Sequence, residues 1–325
     1  MSKNKGIKLS TLGLLIIFLF LIPLFDKSAY QIHILIMMGI SLIMATSFRS
    51  IANTGQLSLG HGGMMTLGAY TSTLLVMKLG ISFWSALILA GLTAGVLAAI
   101  VGFPFTRIKG IYFSITTLFL TQIIILLAKQ WKSMTNGSAG IIHIPPPDRI
   151  VVPGLLTIDF SSKVDFYYLI LILVLITLLI LYALENSRIG LIFNSIRQSE
   201  SLAESMGVNT TKYKILAFSI GSFFAGIAGA FYASYITAIA PSTFGFMYTV
   251  YVVAYVMVGG LNSFLGPILG AIVLTILPEL FRGIPQYQPF LYAASLLLVI
   301  FYLPKGLIGV PGQLKNLFRK RISHA

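Results

Sequence analysis

Ser187-Arg188-Ile189-Gly190, continuing through Ile196-Arg197-Gln198-Ser199-Glu200-Ser201-Leu202-Ala203-Glu204-Ser205-Met206-Gly207-Val208, is a charged, helix-like stretch between two long apolar runs. Its setting decides the fold. Apolar runs of about 20 residues are the length that crosses a bilayer as a helix, so a charged island between two of them has to lie outside the hydrocarbon. Arg197, Glu200 and Glu204 recur at helical spacing, and Ile192, Ile196, Ala203 and Met206 predict an apolar stripe on the opposite side. Gly207 predicts the helix stop, because glycine tolerates the left-handed conformation that ends a helix. A chain this apolar keeps a charged helix between spans when something outside the membrane has to touch it, and the island is read as a docking surface for a cytoplasmic partner.

The rest of the composition agrees. Apolar residues make up 57% of the 325 and charged residues 9%, with mean hydropathy +0.94, against roughly a quarter charged in soluble domains. An ordinary soluble domain is excluded. Ten apolar segments can be marked, near 9–25, 30–48, 57–77, 82–103, 111–130, 166–184, 213–237, 244–260, 263–281 and 288–303. They are continuous rather than alternating, which argues against the strands of a membrane barrel. The expected fold is therefore an all-α integral membrane protein of about ten spans forming a single transmembrane domain over 1–325. Lys3, Lys5 and Lys8 before an apolar run resemble a signal peptide, but the run from Leu9 to Phe25 is long for one and no small-x-small cleavage site follows. It is read as a retained first span.

Charge sets the orientation. With the N-terminus inside, Lys3, Lys5, Lys8, Arg49, Arg107, Lys109, Arg188, Arg197, Lys212, Lys214, Lys305, Lys315, Arg319, Lys320 and Arg321 fall inside, 15 of the 22 basic residues. Lys27, Lys78, Lys129, Lys132, Arg149, Lys163 and Arg282, the other 7, fall outside. Basic residues favour cytoplasmic loops, so both termini are expected inside. The segment 185–212 is then a cytoplasmic loop, 304–325 a basic cytoplasmic tail and 131–165 an external loop. The same topology accounts for the net charge of +14 without nucleic acid. Asn136-Gly137-Ser138-Ala139-Gly140 and Pro145-Pro146-Pro147 in the external loop read as turns and rigid extended chain, either a plain surface loop or a seat for an external partner.

Two motifs inside the spans carry mechanism. Gly221, Ala225, Gly229 and Ala233 form one i, i+4 column; Ser222, Gly226, Ala230 and Ser234 form the column beside it. Small residues in adjacent columns let another helix backbone approach closely, as tight packing or as a sliding contact. Asn53-Thr54-Gly55-Gln56-Leu57-Ser58-Leu59-Gly60-His61-Gly62-Gly63 places polar side chains and glycines at the start of the third span. It is either an interfacial loop before a packed helix or irregular backbone at membrane depth, which persists only where buried in protein or lining a wet path. On the second reading Gln56, Ser58 and His61 are the candidate path residues.

Catalytic constellations are missing. Cysteine is absent, the 4 histidines are scattered, and neither a Gly-x-Ser-x-Gly elbow nor a His-Glu-x-x-His pair occurs. No Gly-Lys dipeptide exists, so there is no Walker A phosphate loop; any ATP that drives this chain has to be bound elsewhere. No cofactor or metal is expected. A secondary transporter or channel would call for ionisable residues in mid-span, and an intramembrane enzyme for a catalytic pair; the sequence offers neither.

Three stretches together resemble one family. Asn53 to Gly62 is similar to the signature of branched-chain amino-acid ABC transporter permeases of the LivM type. Arg188-Ile189-Gly190 and Ile196 to Asn209, continuing through Tyr213-Lys214-Ile215-Leu216-Ala217-Phe218 into Ala225 to Ala230, resemble that family's coupling loop. Gly259 to Ala271 and Pro304-Lys305-Gly306-Leu307-Ile308-Gly309 complete the pattern, which covers roughly residues 30 to 310. The resemblance implies the ABC importer permease fold, working by alternating access with a sister permease, two cytoplasmic ATPases and an extracytoplasmic binding protein in a bacterial plasma membrane. It makes Arg188, Arg197, Glu200, Ala203, Glu204 and Gly207 the ATPase-docking candidates. Importer loops in general carry Glu-Ala-Ala-x-x-x-Gly, whereas Ser201-Leu202-Ala203-x-x-x-Gly207 here keeps only the alanine and the glycine. Urea-type permeases share much of the pattern, so urea or a short amide stands beside leucine, isoleucine and valine as the implied cargo.

Overall fold

Without water beside it, an apolar chain has to satisfy each backbone N–H and C=O within its own segment, and helices do this. The computed structural model describes residues 19–23, 28–108, 110–152, 156–287 and 306–309, with 290, 293, 294, 297, 298 and 301. The expected first span at 9–25, the tenth at 288–303 and the tail at 304–325 lie largely outside the described residues. In chain order come α1 (Ala29–Ala52), α2 (His61–Leu79), α3 (Phe83–Phe105), α4 (Ile111–Gln130) and the short α5 (Lys132–Thr135). Strands β1 (Ile141–Ile142), β2 (Ile150–Val152) and β3 (Leu156–Ile158) follow, then α6 (Lys163–Glu185), α7 (Arg188–Gln198), α8 (Glu200–Ser205) and α9 (Thr210–Ile236). After β4 (Ala238–Ile239) come α10 (Phe246–Gly259) and α11 (Leu265–Leu280).

Five of these, α1, α3, α4, α6 and α9, are long and apolar enough to cross a membrane. The chain is an all-α membrane protein, but not every expected span is a full crossing. Helices α10 and α11 have 14 and 16 residues, about 21 and 24 Å at 1.5 Å per residue, against about 30 Å of hydrocarbon. The expected spans at 244–260 and 263–281 are corrected accordingly. The helices fill these stretches to within two residues at each end, with Phe244 and Phe264 in the turns just before them. The expected span at 57–77 likewise becomes helical only at His61.

Helix α9 is the post around which the others stand, packing against α1, α2 and α3. A Cβ on Gly226 would meet the Ala90 carbonyl at 2.6 Å and the Ala94 methyl at 2.8 Å, and one on Gly221 would meet the Ser47 carbonyl at 2.8 Å. Gly229 lies against the carbonyl of Met65 and the amide of Ala69, and Gly68 of α2 backs directly onto Gly226. Ala225 and Ala230 are fully buried beside them. One helix thus meets three neighbours at backbone distance.

The two ends of the bundle differ. At the end where α1 starts, β1 pairs with β4 and β2 with β3, both antiparallel. The carboxylate of Asp148 accepts from Phe83 N at 2.8 Å, and Trp84 Nε1 donates to the Asp148 carbonyl. Ser162 and Asp165 form a capping box on α6, while Arg282 stacks over Tyr30 at 4.3 Å and pairs with Glu279 at 3.8 Å. The described part of 131–165 is therefore a set of short pinned elements. Residues 53–60, α7, α8 and the α10–α11 turn gather at the opposite end.

Gly226→Val puts a carbon bearing two methyl groups where the α3 backbone already stands. It is expected to cost about 2 kcal/mol or more from overpacking, read as a lower unfolding temperature of the purified protein in detergent. An unchanged midpoint would contradict the close approach of α9 to α3.

Candidate functional site

The stretch between α1 and α2 is the one long interruption inside the bundle among the described residues, and its backbone groups are met one by one. Ser114 Oγ donates to the Leu57 carbonyl at 2.6 Å. Leu59 N donates to Thr117 Oγ1 at 3.0 Å, and Thr121 Oγ1 donates to the Leu59 carbonyl at 3.2 Å. Gly60 N donates to Ser58 Oγ, and Gly62 N to Thr249 Oγ1 at 3.0 Å. An unpaired buried amide or carbonyl costs about 1–3 kcal/mol, so hydroxyls from α4 and α10 make this irregular chain tolerable. Ser114, Thr117 and Thr121 stand at helical spacing on one face of α4. That spacing was visible in the sequence, but nothing local says that an interrupted chain lies opposite.

The three path candidates fare differently. Ser58 is fully buried and accepts from Gly60 N. His61 is fully buried at the first turn of α2, with Nε2 2.9 Å from Ser47 Oγ and its ring edge-on to Phe48 at 5.6 Å. Ser58 fastens the interruption from within; His61 ties it to α1 through Nε2, while its Nδ1 is buried without a hydrogen-bond partner among the described residues. Gln56 is 6% exposed, and neither end of its amide meets a hydrogen-bond partner among the described residues. Gly55, with φ +79°, brings the chain onto the backbone of Arg197, 3.6 Å from where its own Cβ would stand. The structure thus joins the interruption to the charged segment, a contact that sequence reasoning missed.

That segment is not one helix. Ser187, Ser199 and Asn209 each cap a new start, with side chains accepting from Ile189 N, Leu202 N and Lys212 N. The extended backbone of Ser199 separates α7 from α8. The single apolar stripe through Ile192, Ile196, Ala203 and Met206 is therefore corrected. Ile196 and Ala203 are buried and Ile192 is half-buried, but Met206 is 79% exposed, because α8 ends at Ser205 and Met206 is its cap. Gly207, φ +83°, ends α8, its N–H bonded to the Glu204 carbonyl and that of Val208 to the Ala203 carbonyl.

The charges of the segment are bonded to their own chain. Glu200 pairs at 2.7 Å with Lys214, which is buried on α9. Glu204 accepts from Thr210 Oγ1 at 2.7 Å, and Arg197 donates to Asn262 Oδ1 at 3.3 Å. Arg188 is exposed. Three large apolar side chains stand out instead: Leu191 at 68%, Leu202 at 64% and Met206 at 79% exposure. Among the described residues no group of His, Asp and Glu is placed to hold a metal ion.

Several apolar helices around a small-residue post, an interrupted helix inside them and a capped polar segment between two spans define the membrane subunit of a transporter. Residues 29–303 match the family described as branched-chain amino acid transport system / permease component. The chain is 32% identical to LivM of Escherichia coli (strain K12), a high-affinity branched-chain amino acid transport system permease protein, over 86% of this chain and 68% of that one. It is 24% identical to LivH of the same organism, over 79% of this chain and 87% of that one. NupQ of Bacillus subtilis (strain 168), a guanosine ABC transporter permease protein, is 27% identical over 56% of this chain and 59% of its own. This chain belongs to the family of permease components of branched-chain amino acid ABC transport systems, and it is a transport protein, not an enzyme.

Thr117→Val keeps the shape of the side chain and strips the acceptor from the Leu59 amide. The expected loss is about 1–3 kcal/mol of stability, with faster hydrogen exchange at Leu59 and its neighbours. Wild-type protection there would contradict the role given to the α4 hydroxyls.

Proposed function

We propose that this chain is one of two membrane subunits of an ATP-driven importer in a bacterial plasma membrane, carrying branched-chain amino acids by alternating access. A sister permease, two ATPases and an extracytoplasmic binding protein complete the machine. The observation that carries the reading is the α7–α8 segment: capped at every start, anchored to its own chain through its charges, and presenting Leu191, Leu202 and Met206 outward. Large apolar side chains exposed on a polar extramembrane segment are of the kind that a protein partner covers. The absence of any Walker A loop in the sequence supplies the reason for an ATPase partner there. The distribution of basic residues supports placing this end, and the termini, in the cytoplasm.

This shifts the docking assignment within the segment. Leu191, Leu202 and Met206 make the contact, with Arg188 and Gly207 at its rim. Arg197, Glu200 and Glu204 hold the segment in place, and Ala203 packs beneath it. Gln56 is retained as the path residue of this chain, since a buried amide without a partner is the group that a passing polar solute or its water would satisfy. The family match favours branched-chain amino acids as cargo; guanosine, carried by one relative, and urea are the competing solutes.

Leu202→Asp and Met206→Asp place a charge in the apolar contact and are expected to lower co-purification of the ATPases by about tenfold or more, equivalent to ~1.4 kcal/mol. Undiminished capture with both variants sinks the docking face. For cargo, proteoliposomes holding the complete transporter and its binding protein should accumulate labelled leucine on ATP addition. Uptake of guanosine or urea in its place reassigns the substrate.

A further inference from the structure

We infer that Arg49, paired with Glu185, is the positioning residue through which a displacement of α7 and α8 reaches the α10–α11 turn and the interrupted start of α2. The inference rests on the docking reading above. Arg49 lies in the last turn of α1 and is almost completely buried. Its guanidinium grips Glu185 with both terminal nitrogens, Nη2 donating to Oε1 at 2.8 Å and Nη1 to Oε2. Its Nε donates to the Leu261 carbonyl at 3.2 Å, and its Cζ lies 5.9 Å from the centre of the Phe264 ring. One side chain therefore joins α1, the end of α6 and the turn between α10 and α11.

Glu185 is the last residue of α6, and its backbone is the surface on which Gly190 of α7 sits, too close for any Cβ. The carboxylate that Arg49 holds is thus at the root of the docking segment. From the segment's far end, Arg197 donates to Asn262 Oδ1. Two arginines, one in the core and one on α7, hold adjacent residues of the same turn. That turn ends α10, and at the other end of the same helix, about 16 Å away at 1.5 Å per residue, Thr249 holds Gly62 N of α2.

Burial argues that this pair is there to position and not to stabilise. A buried ion pair recovers little more than its desolvation cost, and an apolar replacement of equal volume is often as stable. Beside the pair is a small cavity lined by Thr46, Ser50, Asn53, Gly190, Phe193 and Phe264.

Arg49→Lys keeps the charge and loses both the forked grip and the Nε–H. The complete transporter carrying it, reconstituted with its binding protein, should retain its ATPase subunits and its basal ATP hydrolysis. The number of substrate molecules moved per ATP should fall about fivefold or more, the lower range of measured coupling between sites. Glu185→Asp, which shortens the reach by one methylene, should do the same, and both together should be no worse than either alone. A wild-type transport-to-hydrolysis ratio in both variants overturns the inference while leaving the docking reading intact. ATPase subunits that fail to co-purify with the unsubstituted chain overturn the docking reading itself. If Arg49→Lys does not assemble, Glu185→Asp carries the same two outcomes.

Discussion

Helix α9 can be approached to backbone distance by three other helices, and most of the structure depends on that. In lipid there is little hydrophobic drive between helices, since the tails are as apolar as leucine, and association rests on close packing and interhelical hydrogen bonds. Gly221, Gly226 and Gly229 remove the side chains that would hold α1, α3 and α2 away. Ser219 Oγ adds a 2.7 Å bond to the Gly95 carbonyl of α3. The post also continues directly from the docking segment, because only Met206 to Asn209 separate α8 from the first turn of α9, and buried Lys214 ties the two together.

The second constraint is that backbone buried in a membrane protein has to be paired. It explains why the interruption before α2 is so well defined: Ser58 from within, Ser114, Thr117 and Thr121 from α4, and Thr249 from α10 assign a partner to each of several backbone groups. His61 and Ser47 add a side-chain fastening to α1. Against that background the unpartnered amide of Gln56 stands out. Among the described residues Gln56 is the motif residue whose whole polar end lacks a partner, while His61 is bonded through Nε2 and leaves Nδ1 without one.

How much of this was legible in the sequence varies with the range of the interaction concerned. Long apolar runs gave α1, α3, α4, α6 and α9 to within a few residues, because the length and hydropathy that make a span are local properties. The same measure placed α10 and α11 to within two residues at each end, but it did not tell helices of 14 and 16 residues from full crossings. It also merged α7 with α8, because the cap at Ser199 competes with a Glu200-x-x-x-Glu204 spacing that suits a continuous helix equally well. The apolar side holds through Ala203 and fails at Met206, which caps the short α8 instead of lying within it, and the exposed Leu202 was overlooked.

Taken alone, the sequence determined that the chain is a helical membrane protein without catalytic machinery, which helix carries the small-residue columns, where the chain is interrupted and that a polar segment parts two spans. Each of these follows from composition or spacing within one segment. Only the tertiary structure decided what the charges do. Arg197, Glu200 and Arg49 find their partners at Asn262, Lys214 and Glu185, positions brought near by the packing of α1, α6 and α9 and by the turn between α10 and α11. A charge pattern along one segment reports its periodicity. Whether that charged side meets solvent or its own protein depends on what the fold sets opposite it, and here the fold sets its own helices there and leaves leucine and methionine exposed.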